Sequence, residues 1–108
     1  MEHINRIELQ GHVGTVRANE ASGKKVINFS LATEYFYKKE GAGVSETTWH
    51  NIVAWEGKDI HDMDKIAKGV PVYVCGRLRL NKYTNAEGIE KQVFEVQATK
   101  LRIVKEES

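Results

Sequence analysis

Ile4-Asn5-Arg6-Ile7-Glu8-Leu9-Gln10-Gly11-His12-Val13-Gly14-Thr15-Val16 is the stretch on which the fold turns. Ile7, Leu9 and Val13 recur near period two, the spacing that places side chains on one face of a strand. Gly11 and Gly14 interrupt the pattern, and glycine inside a strand permits a sharp bend or a bulge. The segment therefore reads as a long, curled first strand.

Working outward, Ala18 to Lys25 carries the turn signal Ser22-Gly23. Val26 to Thr33 then alternates with Ile27, Phe29 and Leu31 on one face, a second strand paired through a hairpin. Tyr37 to Glu46, with Lys38-Lys39-Glu40-Gly41-Ala42-Gly43, is polar and Gly-rich and reads as a long mobile hairpin loop leading into a third strand, Thr47 to Trp55. Between Lys58 and Lys68 the period changes: Ile60, Met63, Ile66 and Ala67 follow helical spacing, with Asp59 and Asp62 early, Lys65 and Lys68 late and Gly69 beyond. That predicts one short helix.

Pro71 opens a fourth strand in which Val72, Val74, Gly76, Leu78 and Leu80 alternate with Tyr73, Cys75, Arg77 and Arg79. After a Thr84–Gly88 turn, Ile89 to Val104 alternates through Phe94, Val96 and Ala98. The order β-β-β-α-β-β with a bent first strand is what an all-β, five-stranded Greek-key barrel of the OB type requires, with one short helix between strands 3 and 4. Ile27, Phe29, Leu31, Val72, Val74, Leu78 and Phe94 are the expected filling. In a chain of 108 residues this gives a single OB-fold domain over 1–105 and a short C-terminal end, 106–108.

Sixteen Lys+Arg against fifteen Asp+Glu leave a formal charge of +1, so bulk charge does not announce a polyanion binder. No apolar run approaches the roughly 18–20 residues of a membrane span, and the start lacks the regions of a signal peptide, so a cytoplasmic protein is expected. Cys75, the single cysteine, sits in an apolar alternating run and reads as a buried thiol. His3, His12, His50 and His61 are dispersed without metal-ligand spacing. Gly41-Ala42-Gly43 lacks the helix and the Lys-Ser/Thr pair of a phosphate loop. Asp59, Asp62 and Asp64 suit the electrostatics of a helix start. No enzyme, metal or cofactor is expected.

The informative residues are aromatics interleaved with cations. Trp49, Asn51, Val53 and Trp55 share one parity, so both indoles leave the same face of the strand, roughly 20 Å apart at about 3.3 Å per residue. Parity alone leaves core and surface equally open for them. From Lys65 through Ala86 there are five basic residues and no acidic ones. Arg77 and Arg79 project opposite to Leu78 and Leu80, with Lys82 and Tyr83 at the hairpin, and Lys38-Lys39 adjoin Tyr35 and Tyr37. This combination suits single-stranded nucleic acid, because cations neutralise phosphates while flat rings stack on any base.

These residues resemble the bacterial-type single-stranded DNA-binding proteins over roughly Asn5 to Val104. The resemblance rests on Asn5–Gly14, Phe29-Ser30-Leu31-Ala32-Thr33, Thr48-Trp49-His50-Asn51-Ile52-Val53 and Val72-Tyr73-Val74-Cys75-Gly76-Arg77-Leu78-Arg79 in order. It implies an OB-fold that assembles as a homotetramer. It also implies base stacking on Tyr37, Trp49, Trp55 and Tyr83, phosphate contacts from Lys58, Arg79 and Lys82 with Lys38 and Arg77 as further candidates, and a subunit contact at His50. The family's long Gly/Pro/Gln-rich tail with an acidic tip has no counterpart before the Lys105–Ser108 end. Recruitment of replication enzymes through a tail is therefore not expected, which suggests an accessory, mobile-element or phage-type version.

The expected function is sequence-independent binding and protection of single-stranded DNA in replication, recombination or repair. Two other readings remain open at this point. One is a dimeric OB accessory factor like primosomal replication protein N. The other is a protein-interaction OB domain that buries its tryptophans in assembly.

Overall fold

The computed structural model describes residues 1–105; residues 106–108, expected as a short end, lie outside the described residues. Five strands follow in chain order: β1 (Ile7–Ala21), β2 (Lys24–Lys39), β3 (Ala42–Trp55), β4 (Pro71–Thr84) and β5 (Glu90–Ile103). They close into a barrel in the order β1-β2-β3-β5-β4. The expected all-β OB barrel is the observed fold, and closure pairs the strand edges that an open sheet would leave bare.

The first strand does what its glycines allow. Its first half pairs with β4, from Ile7↔Gly76 to His12↔Pro71. Its second half pairs with β2, from His12↔Ala32 to Ala21↔Lys24, with a register shift between Val13 and Val16. At the changeover a Cβ on Gly11 would lie 2.0 Å from the Ala32 carbonyl oxygen, so the crossing admits no side chain there. The barrel closes through a short parallel contact, Ile52↔Val96 and Val53↔Gln97. Inward positions of every strand meet in one core, in which Leu31, Ile52, Val72, Val74 and Leu101 are fully buried. Cys75 is buried, as its run suggested.

Three expectations are corrected. The segment 58–68 is not a helix: Met63–Lys65 forms a single 3-10 turn preceded by Asp62 in the left-handed region. The apolar spacing is real, since Ile66 is buried and Ile60 and Met63 pack against the core. The backbone instead bonds to β5, with the His61 N–H donating to the Leu101 carbonyl at 3.0 Å and the Leu101 N–H to the Asp59 carbonyl at 2.9 Å. Groups used in this way cannot close helical turns.

The segment 37–46 is not a loose loop either. β2 and β3 stay paired to Lys39↔Ala42. Glu40 and Gly41, at φ 53° and 82°, make the two-residue turn. Positive φ at both central positions is the turn whose twist suits a hairpin, and the Gly-rich composition masked it.

Leu78 and Phe94, expected in the filling, are exposed, Phe94 by 61%. β1 pairs with β4 only as far as Gly76 and β3 with β5 only at Val96 and Gln97, so Leu78 stands at the rim of the barrel and past it β4 and β5 continue as a two-stranded ribbon that carries Phe94. The Asn5 side chain marks the end of the three-stranded part. Its Nδ2 donates to the Leu78 carbonyl at 2.8 Å and its Oδ1 accepts the Leu78 N–H at 3.0 Å, extending the ladder by one side chain.

Candidate nucleic-acid interface

On β3 the even positions Ile52 and Ala54 face the core, which turns Trp49, Asn51, Val53 and Trp55 outward. The structure decides the question that parity left open. Trp49 is 60% exposed and Trp55 42%, so neither indole fills the barrel. Trp49 stands opposite Ala32 of β2, and its ring lies over Gly14 of β1, where a Cβ would come within 2.6 Å of Trp49 Cζ3. Small residues beneath it form a shelf on which the indole lies across the sheet with one face free. Gly14→Val is therefore expected to lift the ring, shifting tryptophan emission and lowering affinity for single-stranded oligonucleotides severalfold. Titration of the variant beside wild type checks this, with thermal melting confirming that the fold survives.

Two rows of side chains cross the outer surface between the tryptophans. One runs from Arg79 through Glu95 and Asn51 to Ser30, the other from Arg77 through Gln97, Val53 and Asn28 to Arg17. Partners across a ladder point the same way, so Arg77, Arg79 and Tyr83 face outward with Trp49 and Trp55. Arg77 Nη2 donates to Gln97 Oε1 at 3.0 Å. Tyr83, 49% exposed, extends the surface along the β4–β5 ribbon.

Other sequence candidates are placed apart. Lys82 lies on the opposite side of that ribbon, with Leu80. Tyr37 lies on the opposite side of the β2–β3 ribbon from Trp49, stacked with Tyr35 at a centroid distance of 6.0 Å. On the Trp49 side stand Lys38 and the exposed Phe36. Phe36 was not among the sequence candidates; the parity of Ala32 carried forward reaches it only because β2 runs unbroken to Lys39. Lys58 is exposed in the turn that follows β3. His50 points inward and is half-buried; its Nε2 is 2.9 Å from Thr33 Oγ1, and burial pushes its imidazole below the usual 6.5, favouring the neutral ring.

The remaining outer sector is self-paired. Glu8 accepts the Tyr73 hydroxyl, which raises that phenol above its ordinary value, and Glu8 also sits 3.9 Å from Arg6. The Arg102 guanidinium covers the Tyr73 ring at 4.5 Å. By contrast Lys38, Lys58, Arg79 and Lys82 form no ion pair among the described residues. Cations held by neighbouring acids are partly neutralised, whereas unpaired ones remain available to an anionic strand. No cluster of three or more His, Cys, Asp or Glu gathers among the described residues. Among them, no helix is long and apolar enough to cross a membrane.

The profile of the single-strand binding protein family matches residues 4–104. The chain belongs to the single-strand binding protein family. It is 34% identical over 105 residues to Single-stranded DNA-binding protein 1 of Chlorobaculum tepidum, covering 94% of this chain and 65% of that protein. It is 31% identical over 106 residues to the Single-stranded DNA-binding protein of Neisseria meningitidis, covering 94% and 60%. The chain thus spans about three fifths to two thirds of the length of these single-strand binding relatives. Among solved structures it is similar to the Plasmodium falciparum SSB in complex with ssDNA, with a TM-score of 0.77 and 28% identity over 97% of this chain and 98% of that one. A small single-stranded DNA-binding protein from Streptomyces coelicolor, at 21% identity and a TM-score of 0.69 over 96% of both chains, shares the fold.

Proposed function

We propose that residues 1–105 act as one module that binds single-stranded DNA without requiring a particular base. The observation that carries this reading is the pair of exposed tryptophans on the outer barrel face, with Arg77, Arg79 and Tyr83 directed the same way. Bases stack on Trp49, Trp55 and Tyr83, and on Tyr37 as the strand passes round the β2–β3 ribbon. Lys38, Lys58, Arg77, Arg79 and Lys82 contact phosphates. The names of the curated relatives and the ssDNA in the Plasmodium falciparum complex support the same reading.

In this reading the chain is a non-catalytic, cytoplasmic, nucleoid-associated protein that coats and protects strands exposed in replication, recombination or repair. It works as a homotetramer with His50 at a subunit contact.

Titration of tryptophan fluorescence with oligo-dT tests the binding. Quenching is expected at low salt, and the logarithm of affinity should fall linearly with that of salt. If all five cations contact phosphates, the slope is about −3.5, from roughly −0.7 per phosphate for single strands. Absence of quenching at low salt overturns the proposal. Sedimentation gives the subunit number, and a mass of two chains would replace the tetramer with a dimer.

A further inference from the structure

We propose that the groove between Trp49 and Trp55 biases which base it accepts, the Glu95 carboxylate and the Asn51 amide favouring a base with an exocyclic amino group, such as cytosine, over thymine. This inference rests on the strand-binding reading above and goes beyond it, since stacking alone is indifferent to the base edge.

The groove has a volume of about 340 Å³; Asn28, Ser30, Asn51, Val53 and Glu95 are among its lining residues, and the one cation in the lining, Arg17 on β1, stands at the edge opposite Glu95 on β5. It adjoins the Trp49 shelf, because Thr15, also in its wall, follows Gly14 under the indole. A base beside the one stacked on Trp49 is therefore brought over it.

Its polar groups are unequally occupied. The Thr15 N–H donates to Ser30 Oγ at 2.8 Å and the two hydroxyl oxygens are 3.2 Å apart, so these side chains satisfy each other. Asn51 Nδ2 leans on the Phe94 carbonyl at 3.5 Å, leaving Asn51 Oδ1 as an acceptor. Glu95 stands next to Asn51 in the row, half-buried, and makes no hydrogen bond or ion pair among the described residues, even with Arg79 across the ladder.

An unpaired, half-buried carboxylate disfavours any acceptor brought against it and favours a donor there. A carboxylate only accepts hydrogen bonds. Cytosine offers it the N4 amino donor, while thymine places the O4 acceptor at the same position. Acceptor against acceptor is repulsive, so the groove discriminates by edge chemistry while the tryptophans stack on either base.

The test compares oligo-dT, oligo-dC and oligo-dU of equal length at pH 8 and one salt concentration, with the full chain as wild type, Glu95→Gln and Asn51→Ala. Removing the charge should raise dT affinity more than dC affinity, lowering the dC-to-dT affinity ratio about fivefold. Asn51→Ala should lower the same ratio, and dU should behave like dT because both carry O4. A ratio unchanged in both variants, or dU behaving like dC, overturns the base bias while leaving strand binding intact. Absence of quenching with all three tracts overturns both.

Discussion

Replacing both tryptophans, Trp49→Ala together with Trp55→Ala, is expected to lower affinity for oligo-dT by about 2–6 kcal/mol, at least a thirtyfold loss. Each base–aromatic stack contributes roughly 1–3 kcal/mol by alanine substitution, and both rings are exposed and face the same way. The rings lie six residues apart on one strand, too far to share a base, so their losses should add. Stability should change little, because neither indole belongs to the core cluster. With the fluorophores removed, binding is followed by anisotropy of a labelled oligonucleotide. The loss should be similar for every base composition and the salt slope should stay near that of wild type, since no phosphate contact has gone. A double variant that binds as wild type does would remove the stacking surface from the mechanism.

The second large effect is on stability. Leu31→Ala is expected to cost about 2–5 kcal/mol, the range for truncating a buried leucine with partial relaxation of the cavity. Leu31 is fully buried on the inward face of β2, where the ladder sets it opposite Val13 of β1 and His50 of β3. Its side chain thus lies in the core between the inward positions of β1 and β3. Against a total stability on the order of 5–15 kcal/mol for a domain of this size, the loss is a large fraction. Urea unfolding should show a lower midpoint with an unchanged slope, and at low temperature, where the variant stays folded, oligo-dT affinity should be close to wild type. An unfolding free energy within about 0.5 kcal/mol of wild type, the bound for surface substitutions, would contradict the packing described.

The candidate site was legible to the extent that strand parity governs it. Trp49 and Trp55, or Arg77 and Arg79, share a face whatever else the chain does, because side chains alternate along an extended backbone. Sequence could not say which face was out. That follows from Ile52 and Ala54 fitting the barrel interior, a property of five strands together. Nor could it set Tyr37 apart from Trp49, since the ladder runs unbroken to a two-residue turn where composition suggested a loose loop.

The helix expected over 58–68 shows the same limit. Apolar spacing reports which residues seek the core, and Ile60, Met63 and Ile66 do reach it. The conformation that delivers them was decided by backbone hydrogen bonds to Leu101, some forty residues away.

By itself, then, the sequence determined the succession of strands along the chain, the bent first strand, the inward residues Ile27, Phe29, Leu31, Val72 and Val74, and the pairing of aromatics with cations, all of which rest on local alternation and turn chemistry. Only the tertiary structure decided that Leu78 and Phe94 stand exposed where β4 and β5 leave the barrel, that Trp49 rests on Gly14, and that Glu95 and Asn51 line one groove beside it. These depend on where β1 parts from β4 and how β3 aligns with β5. Pairing between distant strands is set by closure of the whole barrel, which no local pattern encodes.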